Sequence, residues 1–88
     1  MQIVSSKRFD RSLSKLYDSN PVYKGKVSKV LKSLITPKAS LYSRSLRLHK
    51  LRGADIYSVS VDISIRIIFQ INGNEIVLLN IGKHEDVY

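Results

Sequence analysis

Residues 65–81 constrain this chain more than any other stretch. "IRIIFQI" and "EIVLLNI" are two β-branched, apolar runs separated only by "NGN". An Asn-Gly pair between such runs is the strongest short-range hairpin signal, because glycine readily adopts the left-handed backbone of a tight hairpin turn. Residues Ile76 to Leu79 are apolar at consecutive positions, which predicts a strand covered on both faces and therefore inside a sheet. The preceding run "IYSVSV" alternates instead, with Tyr57, Val59 and Val61 on one side and Ser58 and Ser60 on the other. That pattern predicts a third strand with one open, polar face, joined to the next by a less typical turn at Asp62 to Ser64.

Before these strands the period changes from two to 3.6. After a short opening strand, "MQIVS", Ser6 is placed to N-cap a helix over about Lys7 to Asp18. Its apolar residues Phe9, Leu13, Leu16 and Tyr17 share one face, and Arg8, Arg11 and Lys15 lie opposite. A second helix is expected to start with Asn20 as N-cap and Pro21 at the first helical position, and to stop at Thr36 before Pro37. Tyr23, Val27, Val30, Leu31 and Leu34 line one side of it. Two amphipathic helices joined by so short a turn form an antiparallel hairpin, and their apolar stripes need a sheet to cover them. The expected architecture is α+β, in the order β-α-α-β-β-β, with the helical hairpin packed on a mostly antiparallel four-stranded sheet. Between helices and sheet, "KASLYSRSLRLHKLRG" reads as irregular and very basic, its leucines anchoring the segment while its cations face out.

At 88 residues the chain makes one domain, 1–88, with a modest core. It has no cysteine, so a disulfide framework, a thiolate metal site and a thiol nucleophile are all excluded. Two histidines without a tight acidic cluster give no metal site, and no cofactor motif occurs. With neither a signal-peptide pattern nor an apolar run of membrane-spanning length, a soluble, cytoplasmic protein is expected, with no membrane partner.

The net charge of +8 is unevenly spread. Residues 1–53 carry 13 Lys and Arg against Asp10 and Asp18, whereas residues 54–88 carry Arg66 and Lys83 against five acids. A basic half of this kind suits a polyanion such as RNA or DNA, or an acidic protein, and is equally compatible with a solvated basic surface.

The element order, the segment "HKLRGADIYSVSV", the strand "SIRIIFQI" with its embedded arginine, and the ending "IGKHEDVY" together resemble the RelE/ParE superfamily of toxin–antitoxin toxins. The resemblance covers nearly the whole chain. Its RelE-like branch implies a toxin that cuts mRNA in the 30S decoding site of the ribosome without a metal. In that reaction the RNA's own 2′-hydroxyl attacks the adjacent phosphate. It also implies a cognate antitoxin as partner, in a toxin–antitoxin hetero-oligomer. A ParE-like inhibitor of DNA gyrase, and a degenerate member that binds its antitoxin without cutting, remain the alternatives.

Such a cleavage asks for a base near the 2′-hydroxyl, an acid near the leaving 5′-oxygen, and cations around a phosphorane gaining negative charge. Arg66 is one of only two cations in the last 35 residues and stands in an otherwise apolar strand. Either it clamps the scissile phosphate, for which a guanidinium fork is well shaped, or it pairs with Asp62 or Asp86. His84 and Tyr88 match "G-x-H-x-x-x-Y" at the end of the sequence. On a helical turn beginning near Lys83 they share a face, which would suit acid/base work by the histidine and base stacking or proton transfer by the tyrosine. Arg47, Lys50, Arg52 and Lys83 are candidates for gripping the RNA backbone. The chain departs from the best-known RelE toxins at Ser58 and Ser60, where those carry lysines. No carboxylate falls clearly where YoeB-like relatives place a general base.

Overall fold

The computed structural model describes residues 2–35, 49–51 and 56–83. Seven elements follow in chain order. They are β1 (Gln2–Ser5), α1 (Lys7–Ser19), α2 (Tyr23–Ile35), β2 (His49–Leu51), β3 (Ile56–Ser60), β4 (Ile65–Asn72) and β5 (Glu75–Lys83). The strands form one sheet in the order β1-β5-β4-β3-β2. β1 runs parallel to β5, and the other neighbours are antiparallel. The α+β helical hairpin on a mostly antiparallel sheet is therefore the architecture the sequence predicts. A fifth strand joins the expected four, because three residues of the basic segment, His49–Leu51, pair with Ser58, Tyr57 and Ile56 along the edge of β3.

Both helices cover the same face of the sheet. Phe9 from α1 and Val27, Val30 and Leu34 from α2 are buried against Val59, Ile65, Ile67, Phe69, Ile76, Leu78 and Ile81. Burying one large apolar side chain of this kind contributes about 1.5–3 kcal/mol, so this helix–sheet seam dominates the stability. At its centre the rings of Tyr57 and Phe69 stack 5.6 Å apart across β3 and β4. β5 lies between β1 and β4, as its continuous apolar run requires.

Local chemistry sets the helix boundaries. The Ser6 hydroxyl accepts a hydrogen bond from the Phe9 N–H, capping α1. It also donates to the Leu79 carbonyl at 3.1 Å, so one side chain both starts the helix and ties it to β5. The second helix begins later than expected. Asn20 is the C-cap of α1, its N–H bonded to the Leu16 carbonyl, and its own carbonyl accepts from the Tyr23 N–H at 3.1 Å. Pro21 accepts in the same way from Lys24, so a tight turn with bonds three residues apart leads into α2. One asparagine ends one helix and begins the approach to the next because the connection is only three residues, 20–22. The helix is described to Ile35, and the expected stop at Thr36 and Pro37 lies outside the described residues.

β5 carries one irregularity. Ile68 pairs with Asn80 and Phe69 with Leu78, leaving Leu79 unmatched in a bulge. The bulge resets the alternation, so that Leu78 before it and Ile81 after it both enter the helix-side core.

Candidate active site

Arg66 is the second residue of β4, a central strand, and it sits on the face turned away from the helices. Its strand neighbours Ile65 and Ile67 point into the core, so the pleat directs the arginine to the other side. Across the ladder it lies between Ser60 on β3 and Gly82 on β5. Neither neighbour brings bulk against the guanidinium: one is a serine, and the other has no side chain.

The two serines that the alternating pattern placed on a polar face hold this group. Arg66 Nη1 donates to Ser60 Oγ at 2.8 Å, Nη2 donates to Ser58 Oγ at 3.0 Å, and Nε reaches the same oxygen at 3.3 Å. Three bonds from a planar fork fix its plane and its direction. The expectation of an open face is corrected at Ser58, which is 0% exposed and whose hydroxyl the arginine engages. A serine's size leaves room there for the guanidinium, and its oxygen satisfies the charged donors.

Asp62, proposed from sequence as an alternative partner of Arg66, is engaged elsewhere. Its Oδ2 accepts from the Tyr23 hydroxyl at 2.6 Å and lies 3.5 Å from Lys26 Nζ. Its Oδ1 accepts from the backbone N–H groups of Ser64 and Ile65 at 2.9 and 2.8 Å. Burial pushes the Asp62 carboxyl up. The Tyr23 hydrogen bond, the two backbone bonds and the Lys26 charge outweigh it, so the group sits below the ordinary carboxylate range. Tyr23 is raised in turn by its hydrogen bond to Asp62, by burial and by the negative charge it faces. This network holds the turn immediately before Arg66 against the start of α2.

The remaining sequence candidates distribute unevenly. Lys83 is the last residue of β5 and pairs with Ile65, so it belongs to the helix side and not to the Arg66 face. The strand includes Lys83, and the helical turn expected to carry His84 and Tyr88 lies outside the described residues. Lys50 pairs with Tyr57 in β2. Arg47, Arg52, His84, Tyr88 and Asp86 lie outside the described residues. Among the described residues, no three His, Cys, Asp or Glu side chains gather as a metal site, and no helix is long and apolar enough to cross a membrane. Sequence reasoning missed the Tyr23–Asp62 contact, because its partners are 39 residues apart and neither carries a local signal. It also missed the role of Ser58 and Ser60, which was visible only as a strand alternation.

No protein-family model matches the sequence, and no curated protein matches it significantly. Solved structures do match. YafQ from Escherichia coli strain BL21(DE3) superposes with a TM-score of 0.82 at 16% identity, covering 99% of this chain and 97% of that one. The E. coli DinJ-YafQ toxin–antitoxin complex gives 0.82 at 17%, covering 99% and 96%. The YoeB dimer from Staphylococcus aureus gives 0.75 at 18%, covering 96% and 97%. Two helices on one face of a mixed sheet, matched nearly end to end in each case, give this chain the same fold as these YafQ and YoeB structures.

Proposed function

We propose that this protein is the toxin of a type II toxin–antitoxin pair and acts as a ribosome-dependent mRNA endoribonuclease in the cytoplasm. The observation that carries the reading is the Arg66 guanidinium, oriented by Ser58 and Ser60 on the helix-free face of a RelE-like sheet. In the reaction the 2′-oxygen forms a bond to phosphorus and loses its proton to a base. The bond from phosphorus to the 5′-oxygen breaks, and that oxygen takes a proton from an acid. The products are a 2′,3′-cyclic phosphate and a free 5′-hydroxyl. The chemistry needs proton transfer and charge stabilisation, both of which side chains supply.

In this reading Arg66 contacts the scissile phosphate and stabilises the charge that builds on its oxygens. Serines stand where the best-known RelE toxins carry lysines, so the charge supplied by the sheet face falls to Arg66, and the serines orient it. His84 is assigned the proton transfer. Tyr88 stacks on a base or assists the histidine. Arg47, Lys50 and Arg52 grip the RNA backbone outside the reacting centre. The antitoxin is a separate protein encoded beside the toxin.

Primer extension tests this directly, with the purified protein added to programmed ribosomes and to naked reporter mRNA in parallel. Discrete in-frame cuts on ribosomes alone are the expected result. Arg66→Ala should slow cutting by about 100-fold or more, the usual cost of removing a donor to a developing oxyanion. Arg66→Lys should recover little, since a lysine cannot form the bidentate contact. His84→Ala and Tyr88→Phe should relieve growth arrest while antitoxin binding persists. Intact mRNA from folded protein that still arrests growth would move the target to DNA gyrase.

A further inference from the structure

β1 is an edge of the sheet, and its outer side is unpaired among the described residues. The Gln2 N–H donates to the Asn74 carbonyl at 2.9 Å, and the Ser6 N–H donates to the Leu78 carbonyl at 3.0 Å. Backbone groups alternate in direction along a strand, so Gln2, Val4 and Ser6 turn theirs towards β5. The N–H and C=O groups of Ile3 and Ser5 therefore point outwards, away from the sheet. Side chains alternate as well. Ile3 packs on the helix-side core, which sends Val4 to the opposite face, the one that carries Arg66. There Val4 is 42% exposed beside its ladder partner Val77. Exposed edges are commonly blunted by a charge, a proline or a bulge. The strand Gln2–Ser5 holds neither charge nor proline, and its register with β5 is unbroken.

We propose that β1 is a homodimer interface, at which a second copy of the chain adds its own β1 antiparallel to the first, about a twofold axis at Val4. Antiparallel strands exchange hydrogen bonds between directly opposed residues at alternate positions. Centring on Val4 sets Ile3 opposite Ser5 on both sides of the axis, so each outward N–H of the strand meets an outward carbonyl. Val4 then faces its own copy at the non-hydrogen-bonded position, where opposed side chains come closest. A register in which Ile3 meets Ile3 would instead set the exposed valine against Gln2. The self-match at Val4 is what commits the edge to a second copy, since one strand supplies donors, acceptors and both halves of the apolar contact. The axis is perpendicular to the sheet, so both helical hairpins lie on one side and both Arg66 side chains on the other. Nothing in this inference depends on the toxin reading. The chain carries a net charge of +8, and Lys7 and Arg8 follow the strand in each copy. Association works against this like charge, so salt should strengthen it by screening. A seam this short places the dimer among weak, reversible interfaces.

The test is sedimentation velocity of the full-length, nuclease-treated protein over a range of concentrations, at low and high salt. A concentration-dependent dimer that tightens with salt is the expected result. Val4→Lys should weaken it at least about tenfold, because two lysines then stand opposite each other and the valine pair is lost. Circular dichroism should show the fold unchanged, since the side chain is exposed in the monomer. The chain has no native cysteine, so Val4→Cys reads the register directly. Opposed Cα atoms at that position are about 4.5 Å apart, within disulfide reach, and mild oxidation should cross-link the dimer. Gln2→Cys, displaced along the strand from its own copy, should not cross-link. Hydrogen exchange should protect the Ile3 and Ser5 amides at high concentration and release them on dilution. Wild-type protein that stays monomeric at every concentration would overturn the proposal, as would a dimer that Val4→Lys leaves intact or that Val4→Cys fails to cross-link. So would Ile3 and Ser5 amides protected in the monomer, which would mean that the chain covers its own edge.

Discussion

The turn from β4 to β5 and the turn from β3 to β4 both reverse the chain within one sheet, yet different residues hold them. At the first, Gly73 takes φ 61°, and Asn72 pairs directly with Glu75, so two residues make the reversal. Glycine is needed there because an L side chain pays a steric cost in the left-handed region. At the second, Ile63 is 90% exposed, so apolar burial does not hold the loop. Asp62 does, by accepting two backbone N–H groups of its own turn and the Tyr23 hydroxyl of α2. One turn is closed by its own backbone alone; the other, closed by the Val61 and Asp62 N–H bonds to the Ile65 carbonyl, is also tied through Asp62 to a helix distant in sequence. Only the second stands next to Arg66, so packing of the helical hairpin reaches the candidate active site through it.

Substitutions can break this contrast, and Asp62→Ala should have the largest effect. It strips an acceptor from two backbone donors and from Tyr23, and should cost about 2 kcal/mol in urea unfolding. It should also slow mRNA cleavage, because the turn feeding β4 loosens. Next comes Gly73→Ala, at about 1–2 kcal/mol, from the strained φ alone, since an added Cβ meets nothing within 4 Å. Cleavage per folded molecule should be unchanged there, which is the sharpest contrast with Asp62→Ala. Tyr23→Phe should cost about 1 kcal/mol, the net worth of one hydrogen bond to a charged acceptor that keeps its other partners. Gly73→Asn should be the mildest, at about 0.5 kcal/mol, since asparagine tolerates the left-handed region.

Acid adds a further distinction. The folded state holds the Asp62 carboxyl below its ordinary value, so the stability it contributes is complete above the unfolded pKa and disappears as pH falls through the folded one. Thermal melting of the wild type should therefore decline below about pH 4. Asp62→Asn should decline less steeply over that range, whereas Gly73→Asn should track the wild type.

The same contrast separates what the sequence makes legible from what it does not. The α1 and α2 stripes, the Ser6 cap and the Gly73 hairpin are local patterns, and each appears where periodicity or turn chemistry places it. The strand at His49–Leu51 escapes such reasoning, because three residues in a basic segment pair only through the edge that β3 offers. The Leu79 bulge escapes it too, since the run 76–81 reads equally well as an unbroken strand. Arg66 was singled out by its isolation among apolar neighbours. That Ser58 and Ser60 would turn towards it depends on the β3–β4 register, which alternation alone does not supply.

β1 joins the sheet only by pairing with β5, Gln2 opposite Glu75 through Ser5 opposite Leu78, and Ser6 reaches across 73 positions to Leu79. A seam between such distant segments is slow to form, because the intervening chain must already be ordered. During synthesis, β1 and the Ser6 tie to Leu79 lack their partners until residues 75–79 have emerged. A growing chain therefore cannot complete its sheet, and this connectivity holds back the mature fold until β5 has emerged.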